Sequence, residues 1–152
     1  MTLSAVTNST CLIALERIDR LDLLRRSFDP VLAPPEVAEE FGSFPEWLHV
    51  TPVRNSVLVA ALKLSVHRGE AAAIALGAET SGAVVVLDDR KARRAARHLG
   101  LRVIGTVGML VRAKRLGILP EVRPILDVLQ ADGFHLTHAL RLKALQMVKE
   151  SP

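Results

Sequence analysis

Apolar positions along this chain fall in short runs whose spacing changes from block to block. Leu3 to Thr7 is a strand-like run that breaks at Asn8-Ser9-Thr10, after which Leu12, Ile13, Leu15 and Ile18 recur at helical spacing. A strand, a polar turn and a helix are predicted there. Leu21 to Arg26 continues as a short helix. Val31 and Leu32 precede Pro34-Pro35, which suits a helix start, and Glu36 to Phe41 adds one or two turns before Gly42 and Pro45 stop it. His49 to Val53 alternates weakly as an extended segment, and Ser56 is the predicted cap of a helix over Val57 to Leu64.

Beyond Gly69 the pattern sharpens. Glu70 to Glu79 is an Ala/Leu/Ile helix with side chains small enough to pack close to a sheet. Ala83 to Leu87 is a continuous run rich in valine, as in a strand covered on both faces, and it leads straight into Asp88-Asp89. A basic helix over Arg90 to Leu99 ends at Gly100, a short strand covers Arg102 to Ile104, and a helix over Thr106 to Leu116 ends at Gly117. Two more helices are predicted over Glu121 to Ala131 and Leu136 to Val148. Strands alternating with helices at this length predict an α/β fold with a mostly parallel sheet, organised as a single domain over residues 1–150. On such folds ligands bind beyond the carboxyl ends of the strands, which directs attention to Asn8-Ser9-Thr10 and Asp88-Asp89.

Composition narrows the function classes. Among 152 residues, 49% are hydrophobic and only 3% aromatic, so the core is aliphatic and base stacking on an aromatic sheet is excluded. A single cysteine, Cys11, forms no internal disulfide and no multi-thiolate metal site, and is read as a small buried hydrophobe. The uncharged stretch Met1 to Leu15 is too short and too polar to span a bilayer and lacks a basic leader region, so a cytoplasmic protein without a membrane association is expected. The net charge of +4 is unevenly spread: Asp88 to Arg115 holds nine cations against two anions, a net of +7, and the remainder is −3. A polyanion site produces such asymmetry, and so does a solvated helix face.

Neither a Gly-x-Gly-x-x-Gly turn, a Gly-Lys-Ser/Thr phosphate loop nor His-Glu-x-x-His occurs. The remaining candidates are acids: Glu40 near a helix end, Glu70 at a helix start, and Asp88 and Asp89 after the valine-rich strand. Scattered carboxylates can hold Mg²⁺ or Mn²⁺ once a fold gathers them, because these cations take oxygen ligands and retain waters. Each acid also has a plain structural reading. Glu70 suits a helix N-terminus, Asp88 or Asp89 can cap the basic helix, and Glu40 can be an exposed helix acid. His135 and His138, three residues apart, lack a third ligand and are read as surface or capping residues; Trp47 and Phe134 are read as core anchors.

Taken in order, the blocks Val6 to Leu15, Ile18 to Leu24, Pro35 to Glu40, Gly69 to Leu76, Leu87 to Arg93 and Leu99 to Thr106 resemble a PIN domain, within a subgroup of short prokaryotic proteins. The resemblance implies a three-layer α/β/α fold with a central, mostly parallel sheet of four to five strands. It also implies a Mg²⁺- or Mn²⁺-dependent endonuclease of single-stranded RNA, possible pairing with an antitoxin protein, and a homodimer. By motif position, Asn8, Glu40, Glu70 and Asp89 take the catalytic places. Asn8, Glu70, Asp88 and Asp89 take the metal-binding places, with Ser9, Thr10, Arg90, Lys91, Arg93 and Arg94 set to meet nucleic acid. The departure is Asn8, where the family pattern has aspartate, so one formal charge is missing from the implied metal site. The alternative implied by that departure is a weakly active or inactive module that binds nucleic acid or an antitoxin.

Overall fold

Valine is the plainest determinant of the sheet. Val84–Val86 (β4) is buried on both faces and pairs in parallel with Ala5–Thr7 (β1) on one side and Arg102–Ile104 (β5) on the other. In the computed structural model, which describes residues 2–152, Val31–Ala33 (β2) and Leu48–Val50 (β3) complete the sheet. Its order is β3-β2-β1-β4-β5, and every pairing is parallel. The strand over Val31–Ala33 is marked in sequence only by two apolar residues before a proline pair. Its three-residue length leaves no periodicity to detect.

The helices are Ser9–Arg17 (α1), Asp22–Ser27 (α2), Pro35–Phe41 (α3), Ser56–Leu62 (α4), Arg68–Glu79 (α5), Arg90–His98 (α6), Thr106–Arg115 (α7), Arg123–Ala131 (α8) and His138–Met147 (α9). They pack in two groups about the sheet, α1, α3, α4, α5 and α6 in one and α2, α7 and α9 in the other. The result is the expected α/β/α arrangement. Two boundaries differ from expectation for a capping reason. Asn55, not Ser56, caps α4 by accepting from Leu58 N, and α5 starts earlier than Glu70 because His67 is its cap. Likewise Thr137 rather than a histidine caps α9. Trp47 and Phe134 are partly buried and pack against the core.

Two devices tie distant parts of the chain together. Helix α5 buries Ala71, Ala72, Ala73, Ile74, Ala75 and Leu76 and packs against β1 and β4. Its Gly77 has no room for a side chain, since a Cβ there would overlap Val85 Cγ2. At the far end of the chain, Glu150 accepts from Val122 N, Arg123 N and Lys114 Nζ. Burial opposes its charge, yet these donors prevail and hold its carboxyl below the usual range. Among the described residues no helix is long and apolar enough to cross a membrane.

The close approach at Gly77 generates a test of the α5–sheet contact. Gly77→Val is expected to lower stability by about 1–3 kcal/mol through overpacking. The change reads as a lower urea midpoint with an unchanged m-value.

Candidate functional site

At the carboxyl end of the sheet the chain leaves β1 on one side and returns through β4 on the other. That is the topological switch point of an open parallel sheet. Asn8 follows β1 directly, its backbone N–H extending the ladder to Val86 O at 3.2 Å. Its side chain then caps α1, with Oδ1 accepting from Cys11 N at 3.1 Å. Asp88 and Asp89 follow β4 with only Leu87 between. A cleft of about 220 Å³ opens here. Asn8, Ser9 and Thr10 at the start of α1 form one wall; Glu40 from α3 and His67, Gly69 and Glu70 at the start of α5 form the other.

The α5 wall is built by a reciprocal cap. His67 Nδ1 accepts from Gly69 N at 3.3 Å, and Glu70 Oε1 accepts from His67 N at 3.2 Å. Glu40 lies directly over Gly69, where any Cβ would overlap Glu40 Oε1. Its Oε2 is 3.7 Å from His67 Nδ1. Burial raises the Glu70 pKa, and the charges of Asp89 and then Glu40 add to the rise against the backbone and charge contributions of His67. Three carboxylates therefore share one electrostatic neighbourhood, each retaining an oxygen that no hydrogen bond occupies: Glu70 Oε2, Asp89 Oδ1 and both oxygens of Glu40.

Not every candidate joins them. Asp88 spends Oδ1 on Thr106 N at 2.8 Å and Oδ2 on Thr106 Oγ1 at 2.7 Å, so its carboxylate ties β4 to the start of α7. Asp89, exposed after β4, caps α6 through Oδ2, which accepts from Ala92 N at 3.0 Å. Cys11 is fully buried, and that burial followed by the Asp88 charge pushes its thiol up to about 12. An unionised thiol in the core is not a nucleophile.

Helix α6 turns Ala92 and Ala96 into the core and presents its cations outward. Arg90, Arg94 and Arg97, at i, i+4 and i+7, line a shallow hollow of about 410 Å³ with His98. Lys91 is exposed beside them, while Arg93 is half-buried against Gly105, its Nε without a partner among the described residues. The ion pairs among the described residues lie elsewhere, so these α6 cations are uncompensated. Sequence reasoning passed over His67, Gly69 and Thr106. Only the spacing of His67 to Glu70, that of an N-cap and its third helical residue, signals any of them.

A family model for the PIN domain matches residues 4–150. This chain belongs to the PIN-domain family. Comparison with curated proteins and with solved structures returns no match. PIN domains are generally nucleases and typically use divalent metals. The donor set here fits a hard cation in part. Glu40, Glu70 and Asp89 offer free carboxylate oxygens whose mutual repulsion a cation relieves. Asn8 fits less well, because its one oxygen is neutral and already accepts from Cys11 N at the cap. Among the described residues, no three His, Cys, Asp or Glu side chains stand close enough to hold a metal ion as they are.

Glu70 carries a stability consequence that can be measured. Its folded pKa lies above its ordinary value of 4.5, so the folded chain binds the proton more tightly than the unfolded one. Stability then falls as pH rises from the ordinary value through the raised one. Glu70→Gln retains an oxygen for His67 N and removes the charge. It is expected to be modestly more stable than the wild type at neutral pH and to lose that advantage below the ordinary carboxylate pKa, as read by urea unfolding at both pH values.

Proposed function

We propose that this PIN domain is a metal-dependent endonuclease of single-stranded RNA. The observation that carries the reading is the pairing of Glu40 and Glu70 in one cleft at the switch point of the sheet, with Asp89, from a third part of the chain, near enough for its charge to raise the Glu70 pKa. A Mg²⁺ or Mn²⁺ ion would be held by Glu70 and Asp89 with Glu40 beside them. When bound it lowers the pKa of water and offsets charge on the phosphoryl group. The chain's own groups do the rest. Arg90, on the turn that Asp89 caps, and Arg94, one turn further along, hold flanking phosphates; Arg93 and Lys91 add to the same field. The hydroxyls of Ser9 and Thr10 border the cleft as donors to the strand.

Cleavage of a single-stranded RNA with Mn²⁺ and its loss in EDTA test the reading. Asp89→Asn keeps the α6 cap through its remaining oxygen, so it should fold while losing about 100-fold in rate, or about 2.7 kcal/mol. Equal cleavage by this variant would sink the assignment. Replacing Arg90 and Arg94 by alanine should weaken RNA binding at low salt. The slope of log affinity against log salt should become shallower by about 0.7 for each phosphate that is no longer neutralised.

A second reading rests on Asn8, whose neutral oxygen is engaged at the α1 cap and brings no charge to a cation: a protein that holds RNA without cutting it. Salt-sensitive RNA binding with neither Mn²⁺ uptake by calorimetry nor cleavage is the result that selects it.

A further inference from the structure

A carboxamide has one acceptor and one two-proton donor, and the fold dictates which of them Asn8 shows to the cleft. Its oxygen must meet the Cys11 N–H, because turning the amide over would set a donor against a donor and leave the α1 cap unmade. The nitrogen is what remains. Asn8 is 3% exposed and lines the cleft, yet Nδ2 has no partner among the described residues. An aspartate here would cap α1 with one oxygen and offer the other to a cation, whereas asparagine offers N–H and repels one.

The surroundings of Nδ2 have the same polarity. The backbone N–H groups of Ser9 and Thr10 belong to the first turn of α1, which runs for nine residues, and they find no acceptor among the described residues. Both residues line the cleft beside Asn8. The positive end of the α1 dipole adds to them. The cleft is thus two-faced: a wall of donors on α1 opposes a wall of carboxylates from α3 and α5.

We propose that Asn8 Nδ2, with the amino end of α1, receives a non-bridging phosphoryl oxygen of the nucleic acid, so that asparagine makes this position a substrate contact in place of a metal ligand. The inference rests on the reading of this cleft as a nucleic-acid site, but it needs no cleavage and no metal. A non-bridging oxygen is acceptor-only and matches the donor wall. The opposite wall repels it, which fixes the phosphate toward α1.

The test is fluorescence anisotropy with a labelled 2′-O-methyl oligouridylate in EDTA, which removes the divalent cation that cleavage would need. Asn8→Ala should bind about tenfold more weakly, and Asn8→Asp, which keeps the cap, more weakly still because it adds a charge. In a separate titration by calorimetry, Asn8→Asp should take up Mn²⁺ at least about tenfold more tightly than the wild type. Wild-type affinity of Asn8→Ala for the probe, no binding of the probe by the wild type, or equal Mn²⁺ affinity of wild type and Asn8→Asp each overturns the proposal. Failure of the wild type to cut RNA would remove the nuclease reading and leave this one standing.

Discussion

The parallel register between β1 and β4 is the constraint on which the rest of the site depends. Val6 faces Val85 and Thr7 faces Val86, so the two strands end level, and Asn8 N adds one more rung to Val86 O. Because β2 lies on the far side of β1, the chain moves away from β4 after its first strand and returns only after α5. Residues far apart in sequence are thereby set across one crevice. Helix α5 follows the same logic: its alanine face and Gly77 let it lie close on β1 and β4, and its amino end with Glu70 then falls at the crevice.

Every polar side chain at these strand ends also has a structural task. Asn8, Asp89 and Glu70 each give one oxygen to a backbone N–H of a helix start, and Asp88 gives both of its oxygens to Thr106. A helix beginning at a sheet edge leaves N–H groups that something must meet, and a side chain just before the helix is best placed to do so. The difference lies in what is left over. A carboxylate that caps with one oxygen still has a whole oxygen and its charge to offer; a carboxamide that caps with its oxygen turns its nitrogen outward, and a carboxylate with both oxygens bonded has much less to give. Residue type at the cap therefore sets the chemistry of the cleft.

Much of this was legible in the chain itself. The valine run, the glycine stops and the alanine-rich helix carry strong local signals, and the sheet edge at which Asn8 and Asp89 both follow strands comes from strand–helix alternation. The three-residue strands have no period to read, so Val31–Ala33 stayed hidden. The caps at Asn55 and His67 were missed because a better-looking neighbour, Ser56, or an unusual capping residue, histidine, stood in the way. Nor does sequence separate Asp88 from Asp89. One residue of offset turns the first toward Thr106 and leaves the second on α6, a distinction that only the packed α7 start creates.

The basic segment divides in the same way. Its net of +7 spans α6, β5 and α7, but the two helices are not equivalent. On α7, Lys114 is paired with Glu150 at 2.9 Å, while Arg112 donates to Ser27 O and lies 5.0 Å over the Phe28 ring, so these cations hold the fold together. On α6, Arg90, Arg94 and Arg97 stand on one face with no acid against them, opposite the alanines that anchor the helix. A charge that is neutralised within the fold contributes little to attracting a polyanion, whereas three uncompensated guanidiniums in a row contribute fully. The field that can draw a nucleic acid to this protein therefore originates on α6, and it begins one residue after Asp89, whose charge reaches Glu70 in the carboxylate cleft.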